Sequence, residues 1–485
     1  MYGWERTLDK LSTPHYLGVG ALHIGLHYLL PYGLVSKLWA AFVGHFPWKL
    51  AIGAEATFYI WMTRLLLPKL RATRPLLEPC REPVKNNWKA SMDLAQAASQ
   101  LGYPIEKFIS GWFRGADMRK IPYGNYVSWV SYMMYCKDAS ALEPDCRKTV
   151  TEVVDDMCAR FDLKPPPGTD PDIRPITLFG EPLRIFQRSL LMYTVTSAVP
   201  RLAVAGILRW VLGLRRECCK ETGMYYWWRA PPSKDGISTD ALPDIFFFHG
   251  LCGLTGYIPL IMAILLRSPS QGAVLFEIED VSQSLTFSRQ MTREAVVKTA
   301  RSAQERLLAA RGGPRKSCLI LGHSLGSCAA AQLLEEPPTT VAGVVLIDPV
   351  CILLQLPNVA HGFLHRVPET IFDWICFLFC ATEPGIAQFF RRRFFWYNSW
   401  LKPETTMNVP TLVCLSENDR LVPSDAVRAY VGQAMPHADV LWWERLDHTF
   451  FMLSPRCHLQ LLKWIWNRSK LQDPVFPKTE PHMGG

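Results

Sequence analysis

Three side chains in this chain could together turn a weak nucleophile into a strong one: Ser324, Asp419 and His448. Ser324 sits in Gly322-His323-Ser324-Leu325-Gly326, which fits the G-x-S-x-G nucleophile elbow. A serine hydroxyl is a poor nucleophile at neutral pH. It needs a base to take its proton, a carboxylate to orient that base, and donors for the developing oxyanion. His448, in Leu446-Asp447-His448-Thr449-Phe450, follows a strand-like run at 439–443 and precedes an amphipathic helix predicted over 455–466. Asp419 lies in the turn Ser416-Glu417-Asn418-Asp419 after the apolar run 409–415 and is followed by a Val-Pro turn. Two other carboxylates compete for the acid role. Glu417 lies two residues away on the same turn, and Asp348 follows the strand-like run 341–347. Asp348 is the stronger alternative acid, and its bland reading is a strand-end residue opening an Asp-Pro turn.

The order nucleophile, acid, base restricts what can position these groups. Lys316-Ser317-Cys318-Leu319-Ile320-Leu321 reads as a short buried strand, and Ser327-Cys328-Ala329-Ala330-Ala331 as the start of a helix packed through small residues. Strand, sharp turn and helix is the context the elbow requires. Upstream, Asp244-Ile245-Phe246-Phe247-Phe248 leads into His249-Gly250-Leu251-Cys252-Gly253, an expected oxyanion loop beginning at His249 and Gly250. The backbone amides of Leu251 and Leu325 are the expected oxyanion donors. Further strands are predicted at 223–229 and 272–278. The period of 293–310 predicts a crossover helix.

The motifs His249-Gly250, Gly322–Gly326, Glu417-Asn418-Asp419 and Asp447-His448 together resemble the α/β-hydrolase superfamily over residues 220–470. The resemblance implies a mostly parallel eight-stranded sheet with helices on both faces, and a hydrolase acting on an ester, thioester or amide. Serine at the elbow argues against the branches that place an aspartate there. The overall layout, with fragments such as Ile109-Ser110-Gly111-Trp112-Phe113, is similar to membrane-associated hydrolases of fungi and algae. That closer likeness carries no substrate. The three residues and the superfamily resemblance imply a lipase- or esterase-like serine hydrolase cleaving a carboxylic ester through an acyl-enzyme, and the apolar insertion at 350–408 suits a lipid-like acyl chain. An acyltransferase on the same three residues, or an inactive membrane scaffold, are the alternatives. No cofactor or metal is expected, and sequence fixes neither the acyl chain nor the oligomeric state.

The remaining sequence suggests the setting. Residues 1–75 form a hydrophobic, membrane-associated region, in which 11–36 carry no formal charge and are long enough to span a bilayer. The apolar stretches 50–67 and 189–214 carry charges (Glu55 and Arg64; Arg201 and Arg209) and read as interfacial or packed helices. Residues 76–162 are predicted helical, and 163–219 a linker with an amphipathic helix, its linker signal being Leu163-Lys164-Pro165-Pro166-Pro167-Gly168. Within the hydrolase region, 350–408 is an insertion rich in large apolar residues, expected to form a helical cap. Its Arg391–Arg393 run reads as a solvated helix face or, alternatively, an anionic headgroup site. Residues 471–485 are an expected flexible tail. The net charge of +9 suits an anionic membrane better than an acidic substrate, and the scattered basic residues fit no nucleic-acid module. The 14 dispersed cysteines form no disulfide framework or metal pair, so reduced thiols and a cytosolic hydrolase domain on a membrane are expected.

Overall fold

The computed structural model describes residues 48–73, 81–230, 242–269, 271–285, 291–311 and 316–469. The stretch 11–36 and the tail 471–485 lie outside them. Two compact units divide the chain, 1–64 and 65–485. In the first, the described residues are helical, from Trp48 onwards.

The second unit is built on one eight-stranded sheet. Its strands are β1 (Arg215–Cys218), β2 (Tyr225–Arg229), β3 (Asp244–Phe248), β4 (Ala273–Glu277), β5 (Cys318–His323), β6 (Val341–Ile347), β7 (Thr411–Ser416) and β8 (Asp439–Trp443). They lie in the order β1-β2-β4-β3-β5-β6-β7-β8. β1 and β2 are antiparallel to their neighbours, while β3 through β8 run parallel to one another. A parallel strand covered on both faces has no polar side, which is why β3 reads Asp-Ile-Phe-Phe-Phe and is buried throughout. Phe248 and Phe276 stack at 4.3 Å between adjacent strands. Asp244 opens β3 with a buried ion pair to Arg311, 2.6 Å away at the end of the crossover helix Arg293–Arg311. The sheet begins at Arg215, ahead of the sequence boundary at 220. β1 has the sequence Arg-Arg-Glu-Cys and is an edge strand; its charges leave no apolar period to detect.

Four helices, Arg81–Gln100, Ile105–Trp112, Tyr123–Tyr135 and Pro144–Arg160, precede the sheet. They have no core of their own. Trp88, Trp112, Trp129 and Val154 join one apolar cluster with Phe246, Ala329 and Val413 on one face of the sheet. Trp112 Nε1 donates to the Gln355 carbonyl (3.1 Å), and Trp396 Nε1 to the Met133 carbonyl (3.1 Å). The Pro- and Gly-rich segment at 163–171 is therefore a strap rather than a spacer. Pro166 and Gly168 accept the amides of Tyr123 and Gly124 at 2.9 and 2.8 Å.

Between β6 and β7 the chain is helical at Ile371–Ala381 and Pro384–Arg392. Here the arginine run departs from both sequence readings. Arg391 and Arg392 are buried. Arg391 pairs with Glu181, and Arg392 donates to the carbonyls of Phe179 and Glu181 at 3.2 and 3.1 Å. Arg393 pairs with Asp280 at 3.1 Å. The run is thus a set of staples between the insertion and the segment around Glu181, whose position 210 residues upstream hid the pairing. Arg114 and His365 also reach Glu181, at 3.1 and 3.2 Å. Burial alone would raise the Glu181 carboxyl, but His365, Arg391 and Arg114 hold it well below the usual carboxylate range. A lowered folded pKa stabilises the fold above the unfolded value and loses that stabilisation as pH falls.

Glu181→Gln strands Arg391 in the interior. Chemical denaturation at neutral pH is expected to show a loss of roughly 3 kcal/mol, and the acid-side decline in stability should become shallower. An unchanged unfolding midpoint would contradict this ion cluster as a folding constraint.

Candidate functional site

β5 ends in a turn whose backbone almost no residue adopts willingly: Ser324 has φ 51° and ψ −123°. Glycines make the turn possible. A Cβ on Gly322 would lie 2.7 Å from the Gly326 carbonyl oxygen, and one on Gly326 would lie 2.2 Å from the Phe248 carbonyl oxygen. The helix Leu325–Glu335 that follows is buried along almost its whole length. Its Ala329, Ala330 and Ala331 admit the sheet closely. Ser324 itself stays tied to the sheet edge, its amide donating to the Ile347 carbonyl at 3.0 Å.

Three loops at the carboxyl ends of the parallel strands converge on this serine. His448, between β8 and the helix Pro455–Ser469, places Nε2 2.7 Å from Ser324 Oγ. Its Nδ1 lies 2.6 Å from Asp419 Oδ2, after β7. The other oxygen of Asp419 accepts the amides of Leu421 and Val422, both at 2.8 Å, so the carboxylate is held from two sides. Burial works against a charge on His448, but the Asp419 carboxylate outweighs it and lifts the imidazole to about 9.

The two competing carboxylates are spent elsewhere. Glu417 is exposed and accepts the Arg445 amide at 2.7 Å. Asp348 is fully buried, with Oδ1 on the Ser416 amide (2.7 Å) and Oδ2 on the Ser416 hydroxyl (2.9 Å). Burial and the nearby Asp419 carboxylate push its carboxyl up to about 8, favouring the protonated form at neutral pH. Asp348, Asp419 and His448 have donor atoms within 4.8 Å of one another, a spacing that could hold an ion. Their hydrogen bonds to Ser416, Ser324, Leu421 and Val422 already occupy those atoms.

The loop after β3 packs directly on the elbow. A Cβ on Gly250 would lie 3.1 Å from Ser324 Cβ and 2.9 Å from the Tyr257 hydroxyl. His249 does not face the serine. Its Nδ1 donates to the Gly250 carbonyl (2.6 Å) and its Nε2 accepts the Ile278 amide (2.9 Å), fixing the loop to the end of β4. Burial drives this imidazole down to about 4, so it stays neutral and can do both. Leu251 follows Gly250 in this loop. Leu325 opens the elbow helix, where the first amides have no intrahelical acceptor.

Two residues escaped the sequence reading. Tyr257 accepts the Gly250 amide at 2.8 Å and donates to His323 Nδ1 at 2.6 Å, while His323 Nε2 donates to the His448 carbonyl at 3.2 Å. One chain of hydrogen bonds therefore links the loop after β3, the elbow and the base loop. Burial holds His323 well below its ordinary value, and the neutral ring is the form that both accepts and donates. Nothing at Tyr257 distinguishes it in sequence, and His323 is a variable position of the motif. A second link ties the insertion to the same loops. Arg420 reaches Asp447 at 2.8 Å and Asp373 at 2.9 Å, and Asp373 completes the capping box with Thr370 at the start of the helix beginning at Ile371.

Tyr257→Phe leaves the buried Gly250 amide and His323 Nδ1 without partners. Denaturant unfolding should show a loss of about 1–3 kcal/mol. A midpoint equal to the parent's would mean that the chain of bonds contributes nothing.

Residues 246–456 match the model of the alpha/beta hydrolase family. No curated protein matches the chain. Among solved structures, a bacterial membrane phospholipase A aligns at 15% identity with a TM-score of 0.38, over 58% of this chain and 94% of its own. A carboxyl esterase from the mycorrhizal fungus Tuber melanosporum aligns at 16% identity and 0.37, over 53% and 86%. A carboxylesterase from Bacillus subtilis aligns at 12% identity and 0.36, over 56% and 99%. With its eight-stranded, mostly parallel sheet, and with 246–456 fitting the family model, this part of the chain is an α/β-hydrolase domain.

Proposed function

We propose that the domain is a serine hydrolase that cleaves a carboxylic ester with a lipid-like acyl chain through an acyl-enzyme intermediate. The observation that carries this reading is a single imidazole within hydrogen-bond reach of both a strained serine and a buried carboxylate (2.7 and 2.6 Å). In the mechanism, His448 takes the Ser324 proton as Oγ attacks the carbonyl carbon. Asp419 keeps the Nδ1–H in place and stabilises the imidazolium that forms. The amides of Leu251 and Leu325 donate to the oxyanion. His448 then gives its proton to the leaving alcohol, and water, deprotonated by the same imidazole, releases the acid.

Asp419 is the acid in this reading because its carboxylate contacts His448 Nδ1, while Asp348 is engaged by Ser416 and favours its neutral form. The insertion at 350–408 serves as a cap over the site. Its support is the Arg420 bridge from Asp373 to Asp447 and the contact of Phe372 with Phe450, two residues beyond His448 (5.6 Å). The hydrolase domain acts at a membrane: Trp48–Ala72 and Leu190–Val211 are long and apolar enough to cross one, by length and composition.

Ser324→Ala is expected to lower ester turnover by at least about a thousandfold with the unfolding midpoint unchanged; a variant hydrolysing p-nitrophenyl esters at the parental rate would sink the proposal. Asp419→Asn should lower kcat by about four orders of magnitude, while Asp348→Asn, which preserves a neutral side chain, should cost less than about tenfold. The reverse pattern would make Asp348 the acid. A general base must be unprotonated to act, so a His448 value raised to about 9 makes kcat/KM climb with pH. The expected profile rises tenfold per pH unit below that value and flattens above it. A profile already flat from pH 7 would contradict a His448 raised by Asp419.

A further inference from the structure

The helical segment Leu190–Val211 is apolar on both of its faces. Its inner face is fixed to the domain. Tyr193 donates to Glu383 at 3.1 Å, Ser197 to the Gln283 carbonyl at 3.1 Å, and Val204, Leu208 and Leu212 are buried with Leu254, Tyr257 and Ile258. Its outer face repeats every three or four residues with Leu191, Val195, Val199 and Leu202, and two turns further on carries Trp210, all exposed, Leu202 at 74% and Trp210 at 80%. A surface helix in water carries polar residues on that side. A helix held to the domain along its length through one face cannot stand upright in a bilayer surrounded by lipid. It can lie in the plane of one.

Neighbouring elements also expose apolar residues. Arg188, just before this segment, donates to the Leu378 carbonyl in the helix Ile371–Ala381. That helix exposes Ile371, Trp374 and Ile375, with Ile371 at 74%. Phe372 of the same helix touches Phe450 at 5.6 Å, in the turn Phe450–Leu453 where Leu453 is 77% exposed. The helix Ile371–Ala381 touches both loops of the site, Cys380 Sγ lying 3.5 Å from Cys252 Sγ in the loop that carries Gly250 and Phe372 contacting Phe450 beyond His448.

The charges favour a lipid surface over another protein or a second copy. Residues 190–216 contain four arginines and no acidic residue. Arg209 and Arg215 are exposed at the carboxyl end of the segment. Arg229 joins that end to the helix Ile258–Arg267 by donating to the carbonyls of Leu212 and Leu265, which sets the exposed Arg267 beside them. Exposed tryptophan and leucine bordered by arginine is the composition of a helix seated at the level of anionic headgroups.

We propose that Leu190–Val211, with the exposed residues of Ile371–Ala381 and Leu453, forms a face that lies flat in an anionic lipid bilayer and lets a lipid ester enter the site from the membrane. The entry of a substrate rests on the proposed hydrolase function; the docking face does not.

The full chain carries the test through two readouts. In the first, an environment-sensitive fluorescent amino acid replaces Leu202, Ile375 or, as a control, the exposed Glu305. Vesicles of phosphatidylcholine with phosphatidylserine should shift the emission at 202 and 375 to the blue, more than phosphatidylcholine alone, and leave 305 unchanged. Chain-brominated lipids should quench probes at 191 and 210 equally. A crossing helix would separate those two positions by about 28 Å in depth, and unequal quenching overturns the in-plane arrangement. Emission at 202 that vesicles do not change overturns the docking face, including the case in which another segment of the chain or a second copy already covers it. In the second readout, Leu202→Glu with Ile375→Glu should lower hydrolysis of a vesicle-borne ester at least about tenfold while a short water-soluble ester is cleaved as before. Equal rates on both substrates overturn delivery from the membrane. A wild-type chain that cleaves neither ester removes the hydrolase reading and leaves the fluorescence to decide the face.

Discussion

The backbone at Ser324 is the constraint around which the rest of the site is arranged. Holding a non-glycine residue at φ 51° and ψ −123° costs about 1–3 kcal/mol, and it persists because its surroundings leave no alternative. Gly326 lies against the Phe248 carbonyl, Gly322 against Gly326, and Gly250 against Ser324. β5 has pairing strands on both sides, and the helix after it is buried almost throughout. The turn raises one hydroxyl above the ends of the parallel strands, where loops after β3, β7 and β8 can reach it. The small side chains of the elbow helix are a consequence of the same geometry.

Electrostatics divides the titratable groups around that hydroxyl into two kinds. At His249 and His323 burial outweighs the neighbouring charges, so both rings stay neutral and use both nitrogens to hold the surrounding loops. His448 is equally buried but faces Asp419, and its imidazole is raised instead. In the proposed mechanism this difference separates the histidine that moves a proton from the two that position loops. Asp348 and Asp419 divide in the same way. The carboxyl pushed toward its protonated form lies against Ser416, while the other contacts His448.

Much of this was legible in the sequence where the signal is local. β3 and β6 fall on the apolar runs 244–248 and 341–347, because buried parallel strands are continuous apolar segments. Ser324, Asp419 and His448 were legible by motif and order, and the loop at His249-Gly250 by its place after β3. Features that depend on distant partners were not. The Tyr257 and His323 bonds join positions 66 residues apart, and Arg391 meets a glutamate 210 residues away. β1 is a charged edge strand without a period. The stretch 189–214 was read as interfacial or packed. In the structure one face of Leu190–Val211 is packed on the domain and the other is exposed.

The central claim is that Ser324 is a nucleophile activated by His448, and covalent labelling tests it most directly. The full-length protein is treated with a fluorophosphonate, digested, and mapped by mass spectrometry. The account predicts a phosphonyl adduct on Ser324, formed at a rate that rises with pH toward about 9 and reduced at least about a hundredfold in His448→Ala. An unmodified Ser324, or labelling at the same rate without His448, would contradict it.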